Sequence, residues 1–293
     1  MDQLIVTGGK QLRGTVTPSG NKNAAQPTLI ATLLTDEDVT LRNVPDIMDI
    51  RTIVEILQDI GVQVTRRGPN ELTINAGSLN KTALPADLCR KVRGAFMFAG
   101  PLVARHGEAT IPRPGGDRIG RRRIDSHIQA LEAMGAEVDT DQIYSLKAPK
   151  RLHGADVFLD ERSVTATENA LMAAVLAAGQ TVIRNAASEP HVQELCQLLN
   201  KMGGNIVGVG TNELTIEGVK HLHGAEHTIG PDYMEVGSLI GLAAVTDGDI
   251  RIKDAAPQNM RRSLMVFRRL GVDVQIDGDD LVIPPSQKLE IIP

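Results

Sequence analysis

The chain contains no tryptophan, and its two tyrosines and four phenylalanines are its only aromatic residues among 293. Its core must therefore be packed mainly by aliphatic side chains, which dominate the 42% of residues that are hydrophobic. There are two cysteines, Cys89 and Cys196, and each falls in a half-apolar stretch with helical spacing. This pattern is typical of reduced, buried thiols in a cytoplasmic protein.

Long apolar runs, low-complexity segments and an excess of positive charge are missing as well. No apolar run is long enough to span a bilayer, and no basic segment followed by an apolar core stands at the N-terminus. The formal net charge of −5 argues against nucleic acid or a membrane as a general partner. Length and composition together predict a cytoplasmic α/β protein of about two domains.

The chain does contain a repeated unit. A glycine that closes an amphipathic helix recurs about 70 residues apart, as Gly61, Gly135, Gly203 and Gly271. Two short sequences also return: Asn-Glu-Leu-Thr-Ile at 70–74 and 212–216, and Leu-His-Gly-Ala at 152–155 and 222–225. A multiplied unit buries its apolar face against its copies, so the repeat predicts the architecture.

The third copy shows the content of one unit most clearly. Its periodicity predicts helices at 163–179 and from Pro190 to Gly203, and strands at 181–183, 205–209 and 214–216. Gly203 is placed where a left-handed residue would end the second helix. The unit is therefore β-α-β-α-β-β, and it is too small to be stable without neighbouring copies.

The start of the chain is out of phase with these copies. Residues 4–14 match residues 214–224, so the chain opens with a strand, Leu4–Thr7, from a unit whose helices are absent. We expect this strand to complete a sheet built much later in the chain, with an N-terminal edge strand as the alternative. The predicted domains are accordingly 21–230, with three units, and a discontinuous second domain formed by 1–20 and 231–293.

The second copy carries an insertion of a few residues. It reads Arg-Pro-Gly-Gly-Asp-Arg-Ile-Gly-Arg-Arg-Arg at 113–123, and insertions in repeat proteins usually extend a loop on the functional face. Its glycines give mobility, Asp117 gives a proton donor or acceptor, and its arginines favour phosphate or carboxylate. A solvated charged loop is the alternative interpretation.

Two further stretches suit anions. Ser-Gly-Asn-Lys-Asn-Ala-Ala at 19–25 leads into a helix, so that N–H groups, the positive helix end and Lys22 would converge on a ligand. Ser-Val-Thr at 163–165 opens a helix in the same way, although ordinary capping explains both. Arg93 stands beside the apolar stretch 94–103 and needs an anionic partner if buried, either structural or substrate.

Five segments together resemble the UDP-N-acetylglucosamine 1-carboxyvinyltransferases, a family of enolpyruvyl transferases. They are 19–25, the helix from Arg93 to Arg105, the loop 114–120 with Arg122 and Asp125, Asn-Ala-Ala-Ser-Glu-Pro at 185–190, and Pro-Asp-Tyr-Met-Glu at 231–235. The resemblance covers the whole chain. It is closer than that to the 5-enolpyruvylshikimate-3-phosphate synthases, whose first loop typically reads Gly-Ser-Lys-Ser where this chain has Gly-Asn-Lys-Asn at 20–23.

The resemblance implies an α/β fold, an inside-out α/β barrel of six βαβαββ units with the active site in a cleft between two domains. It implies transfer of the enolpyruvyl group of phosphoenolpyruvate to the 3′-hydroxyl of UDP-N-acetylglucosamine, with release of phosphate. This is the first committed step of peptidoglycan precursor synthesis. It implies small-molecule substrates as partners, no metal or organic cofactor, and a monomer when all six units are present.

The resemblance also assigns site residues. Lys22 and Asn23, helped by Arg93 and Arg122, match phosphoenolpyruvate contacts, and Asp117, where many members have cysteine, is the expected proton donor. The segments that match the uridine and diphosphate contacts are Arg122, Arg123, Ile124, Asp125 and Ser126, and Glu161, Arg162, Ser163 and Val164. Asp232 matches an aspartate of the cleft.

The chain departs from the family pattern at several positions. Glu161 and Tyr233 stand where basic residues are frequent, and only four of the six units are present. The base for the sugar hydroxyl therefore has no counterpart here, and we expect an incomplete chain that self-associates and turns over poorly or not at all. Two alternatives remain: a nucleotide-sugar binding module without turnover, and a purely structural repeat domain.

Overall fold

The structure, a computed structural model, describes residues 3–116, 120 and 123–291. Its α-helices are α1 (Lys22–Ala31), α2 (Met48–Asp59), α3 (Ala86–Cys89), α4 (Ala99–His106), α5 (Asp125–Ala133), α6 (Val164–Ala174), α7 (Pro190–Lys201), α8 (Tyr233–Val245) and α9 (Arg261–Arg269). Short 3-10 helices span Thr32–Leu34, Arg93–Phe98 and Pro257–Asn259.

The strands are short, as expected for repeated small units. They are β1 (Arg13–Val16), β2 (Val39–Arg42), β3 (Gln63–Gly68), β4 (Glu71–Asn75), β5 (Glu108–Ile111), β6 (Glu137–Asp139), β7 (Tyr144–Lys147), β8 (Asp156–Phe158), β9 (Gln180–Arg184), β10 (Asn205–Val207), β11 (Glu213–Glu217), β12 (Ala225–Thr228), β13 (Asp249–Ile252), β14 (Gln275–Asp277) and β15 (Asp280–Ile283). The chain forms two compact units: Lys22–Ile229 is one, and Met1–Asn21 with Gly230–Pro293 is the other.

The described residues of the larger unit form three sheets, one for each copy of the repeat. Their strand orders are β12-β2-β4-β3, β5-β7-β6 and β10-β11-β9-β8. Within each sheet the strands that come from one copy are antiparallel. The segment that follows the preceding copy adds to the sheet in parallel: β12 pairs with β2, β8 pairs with β9, and Ala83 pairs with Thr110 of β5. Since the chain leaving the third copy returns to the first, strand exchange links all three copies in a closed cycle.

Helices fill the centre of the larger unit. Every residue of α6 from Ala166 to Ala174 is almost fully buried, and α1 and α4 are buried along most of their lengths. The sheets have one buried and one exposed face, as the alternating burial of β2 and β9 shows. This arrangement, with helices inside and sheets outside, confirms the predicted inside-out α/β fold class.

The smaller unit is a four-stranded sheet, β1-β13-β15-β14, with α8 and α9. Its buried core includes Val236, Ile240, Ile252 and Leu281. The end of the sheet is β1, which pairs in parallel with β13 from Arg13 opposite Asp249 to Val16 opposite Ile252.

The predicted strand Leu4–Thr7 is wrong. These residues form no strand, and the side chains of Leu4, Ile5 and Val6 are exposed. The strand of this segment is β1, and by the sequence repeat β1 corresponds to the region of β12 rather than to β11. Because β13 begins opposite Arg13, residues well before Arg13 have no ladder partner, and a strand needs one.

The glycines that close the second helix of each copy are confirmed. Their φ angles are 93° at Gly61, 97° at Gly135, 98° at Gly203 and 76° at Gly271. A Cβ at Gly203 would also lie 3.1 Å from the ring of His223, and the ring of His153 covers Gly135 in the same way. This packing explains why Leu-His-Gly-Ala recurs after the helix-closing glycine.

The residues that the structure describes lack two features. No helix among them combines the length and apolar character needed to cross a membrane. They also contain no group of three or more His, Cys, Asp or Glu side chains placed to hold a metal ion.

Candidate functional site

A cleft of about 460 Å³ lies in the larger unit, where the N-terminal ends of α1, α5 and α6 meet the 3-10 helix Arg93–Phe98. Among the described residues, its charged lining side chains are four cations, Lys22, Lys91, Arg93 and Arg123, and two carboxylates, Asp49 and Glu161. The cationic surplus and the positive ends of helices both suit an anionic ligand.

Lys22 is the first residue of α1 and lines the cleft with Asn23. Its Nζ lies 2.9 Å from Oδ2 of Asp49, which comes from the first turn of α2. Both side chains keep substantial exposure, 42% and 35%. The pair therefore orients the ammonium group without sealing it, and an anion in the cleft can reach it.

Arg93 begins the 3-10 helix and is half-buried. Its Nη2 donates a hydrogen bond of 3.1 Å to the carbonyl oxygen of Arg123. The guanidinium thus links two elements that line the cleft, and it has both a structural contact and access to the cavity.

Arg123 and Ile124 line the cleft directly before α5, whereas Asp125 and Ser126 do not line it. The hydrogen bond to Asp125 raises the pKa of Arg123. Ser126 Oγ donates to Asp160 Oδ1 at 2.8 Å, and this bond is the main reason that the pKa of Asp160 is lowered. Asp125 and Ser126 therefore hold the segment in place rather than face the cavity.

The segment from Glu161 to Val164 leads into α6. Glu161 and Ser163 line the cleft, Arg162 is exposed outside its lining, and Val164 packs against the core. Ser163 is the N-cap of α6, because its Oγ accepts a bond of 3.3 Å from the N–H of Ala166. The first-turn N–H groups of an α-helix lack partners within the helix, so this end of α6 can donate hydrogen bonds to an anion.

Backbone hydrogen bonds hold the first two glycines of the insertion. The N–H of Gly115 donates to the carbonyl of Cys89 at 3.0 Å, and that of Gly116 to the carbonyl of Arg90 at 3.1 Å. A Cβ at Gly115 would lie 1.9 Å from the Arg90 oxygen, so only glycine permits this approach. The loop is therefore anchored at its start.

The remaining predicted site residues are Asp117, Arg122 and Asp232. Asp117 and Arg122 fall outside the described residues. Asp232 belongs to the smaller unit, where it caps α8 by accepting a bond of 2.9 Å from the N–H of Met234.

Sequence reasoning missed several lining residues, of which His127 is the most informative. It is 4% exposed, and burial together with the charge of Arg93 lowers its pKa to about 3. Thr165 and Asp49 also line the cleft. Thr165 belongs to the stretch 163–165 that the sequence marks as suited to anions but was not assigned as a site residue, and Asp49 was not singled out. The available signal was position: His127 lies in the first turn of the helix that follows the insertion, and Thr165 lies two residues after a cap.

Comparison with known proteins places this geometry in a family context. A sequence model of the family described as EPSP synthase (3-phosphoshikimate 1-carboxyvinyltransferase) matches residues 6–293. A UDP-N-acetylglucosamine 1-carboxyvinyltransferase from Treponema denticola is 50% identical over 291 residues, covering 99% of this chain and 68% of the relative. The protein of the same name from Bradyrhizobium diazoefficiens is 51% identical over 289 residues, covering 99% and 67%. The chain therefore spans about two thirds of the length of these relatives.

Solved structures show the same fold at low sequence identity. The enolpyruvyl transferase NikO from Streptomyces tendae superposes with a TM-score of 0.84 at 23% identity, over 95% of this chain and 67% of that one. EPSP synthase from Acinetobacter baumannii gives a TM-score of 0.77 at 19% identity, over 98% and 67%. These likenesses confirm the predicted fold class independently of the site.

Proposed function

Because the chain belongs to the EPSP synthase family of carboxyvinyltransferases, we propose that it transfers the enolpyruvyl group of phosphoenolpyruvate to the 3′-hydroxyl of UDP-N-acetylglucosamine. Phosphate is released, and the step is the first committed one of peptidoglycan precursor synthesis. The observation that carries the proposal is the cationic cleft at the ends of α1 and α6, in a chain half identical to relatives named for this activity.

The proposed chemistry is an addition followed by an elimination. The sugar 3′-oxygen forms a bond to C2 of phosphoenolpyruvate while C3 gains a proton and the hydroxyl loses one. A proton then leaves C3 as the bond from C2 to the phosphate oxygen breaks, which restores the double bond. Both substrates are anionic, so binding them together needs the cationic side chains of the cleft.

We assign the phosphoenolpyruvate end of the site to Lys22, Asn23, Arg93 and Arg122. Lys22 and Arg93 both line the cavity, and each brings a positive charge to it. The Lys22 ammonium has three donors, one of which is directed at Asp49. Asp117 is the proposed proton donor to C3. A carboxyl group with an ordinary pKa of ~3.9 is ionised at neutral pH, so its role requires that water be excluded when the substrates bind.

We assign the nucleotide end to the two segments 122–126 and 161–164, which the cleft brings together through Arg123, Ile124, Glu161 and Ser163. The N-terminus of α6 supplies N–H donors for the diphosphate. Asp232 is proposed as a further substrate contact.

The proposal includes the wider organisation of the protein. Residues 21–230 form its first domain, and 1–20 with 231–293 belong to the second domain of the fold. We place the protein in the cytoplasm, where it acts on small molecules and on neither nucleic acid nor membranes, as a monomer in its full-length form.

Calorimetry and phosphate release test the proposal together. UDP-N-acetylglucosamine should bind, and phosphate should appear only when both substrates are present. Lys22→Met should weaken phosphoenolpyruvate binding, whereas Lys10→Met, at an exposed position outside the cleft, should not. Binding without phosphate release would instead favour a nucleotide-sugar binding module.

A further inference from the structure

A chain of three side chains runs from the core of the larger unit to the cleft. Asn169 is fully buried on α6, and its Nδ2 lies 3.1 Å from Nδ1 of His127. The other ring nitrogen of His127, Nε2, lies 3.1 Å from Oγ1 of Thr165. Thr165 is exposed and lines the cleft, so the chain connects a buried amide to the cavity.

The orientation of the Asn169 amide is fixed by its neighbours. The N–H of Gly100 lies 2.7 Å from Oδ1, and an N–H can only donate, so Oδ1 must be the acceptor. The carbonyl of Phe96 lies 3.4 Å from Nδ2, and a carbonyl can only accept. The NH₂ group therefore faces His127 and donates to Nδ1, which must be unprotonated.

His127 then has a single possible arrangement of its ring proton. Burial and the charge of Arg93 lower its pKa to about 3, so the imidazole is neutral at neutral pH and carries one proton. Since Nδ1 accepts from Asn169, the proton is on Nε2. The ring of Phe96 stands edge-on at 5.1 Å and holds the imidazole plane in this geometry.

The proton on Nε2 decides what Thr165 can do. Nε2–H donates to Oγ1, so the hydroxyl cannot donate back to His127 and its own proton must go elsewhere. The described residues provide no second hydrogen-bond partner for Thr165, whereas the hydroxyl of Thr167, two residues further along α6, donates to the carbonyl of Ser163. The Thr165 hydroxyl therefore directs its proton into the cleft.

We propose that Asn169 and His127 are positioning residues that make Thr165 an obligate hydrogen-bond donor to an anionic oxygen in the cleft. Thr165 lies in the first turn of α6 beside Ser163, so the oxygen belongs to the diphosphate of the nucleotide sugar. This last step rests on the proposed function, while the proton arrangement rests only on the contacts described above. Because the Thr165 hydroxyl keeps its proton for the cleft, the relay suits a ligand oxygen that accepts a hydrogen bond, as a phosphate oxygen does.

Nitrogen NMR of the imidazole tests the relay without any substrate. The unliganded protein near pH 7 should show His127 Nε2 as the protonated nitrogen and Nδ1 as the bare one. In Asn169→Asp the carboxylate still accepts from Gly100 but now faces Nδ1 with an acceptor, so the proton should move to Nδ1. A wild-type spectrum with the proton on Nδ1, or an Asn169→Asp spectrum that does not change, would overturn the relay whatever the protein binds.

Binding of UDP-N-acetylglucosamine tests the role of the hydroxyl. Thr165→Val should weaken binding roughly tenfold or more, as expected for a lost hydrogen bond to a charged group, and Thr165→Ser should restore it. Asn169→Asp should weaken binding to a similar extent, and combining it with Thr165→Val should add little. Equal affinities of the wild type and Thr165→Val would refute the donor role. A wild type with the expected NMR signature that binds no UDP-N-acetylglucosamine would refute the substrate assignment instead.

Discussion

Glu168 is a carboxyl group buried in the core of the larger unit, and its replacement by glutamine should change how stability depends on pH. It lies in α6 and is 1% exposed, and its Oε1 has no hydrogen-bond partner among the described residues. Burial first, and then the negative charge of Glu189, raises its pKa well above the usual value. We therefore expect Glu168 to hold a proton in the folded protein at pH values where it is ionised in the unfolded chain.

The sign of the effect follows from proton counting. Between the unfolded-state pKa of ~4.3 and the raised folded-state pKa, the folded protein binds more protons than the unfolded chain. The free energy of unfolding must then fall as pH rises through this window. The slope from this one group is at most about 1.4 kcal/mol per pH unit. Solvent does not screen this carboxyl group, because its side chain is buried.

Urea unfolding of wild type and Glu168→Gln from pH 5 to pH 8 measures this slope. The two proteins should be most alike at pH 5, and the variant should gain stability over the wild type by up to ~1.4 kcal/mol with each pH unit. Glu132→Gln, at an exposed position on α5, serves as a control and should follow the wild type. Parallel curves for wild type and Glu168→Gln, or a wild type that gains on the variant as pH rises, would refute the reasoning.

Three further results are expected. Lys22→Met should weaken phosphoenolpyruvate binding yet leave the melting temperature nearly unchanged, since its half-exposed ion pair contributes at most ~1 kcal/mol; a large loss of stability with normal binding would reverse the assignment. Gly203→Ala should lower the free energy of unfolding by ~1–2 kcal/mol, because Gly203 has a positive φ and lies against the His223 ring. In the same unfolding experiment Gly237→Ala, inside α8 with open space around it, should be neutral or stabilising. Cys89 and Cys196 are fully buried, and burial raises the pKa of each thiol to about 12. Neither iodoacetamide nor the cysteine-alkylating drug fosfomycin should therefore label the native protein, and mass spectrometry of the intact chain would detect any label.

The repeated sequence patterns predict most of the fold. The left-handed glycines and the strand–helix order of each copy follow from local patterns, because they depend on φ angles and on which face of a helix is buried. The pairing between copies does not follow from local patterns, because the paired strands β12 and β2 are separated by almost the whole sequence of the larger unit. The wrong prediction of a strand at Leu4–Thr7 has the same cause. The repeat aligns this segment with a strand of the third copy, but it does not reveal where β13, the partner of β1, begins.

The candidate site was predictable to a different degree. Lys22, Arg93 and Ser163 stood out because a charge or a cap lay at the start of a helix. His127 did not, and Thr165 was noted only as part of the stretch 163–165, because the role of each depends on a relay through His127 to Asn169, whose amide is oriented by the backbone of Gly100 and Phe96. Proton positions of this kind depend on three-dimensional neighbours, and single residue types in a sequence do not reveal them.

The central claim is enolpyruvyl transfer, and the mass of the product tests it most directly. The protein should be incubated with phosphoenolpyruvate and UDP-N-acetylglucosamine, and the nucleotide sugar should then be analysed by mass spectrometry. We predict that the nucleotide sugar gains one enolpyruvyl group while one phosphate is released for each molecule formed. Unmodified UDP-N-acetylglucosamine after prolonged incubation, with or without phosphate release, would contradict the account.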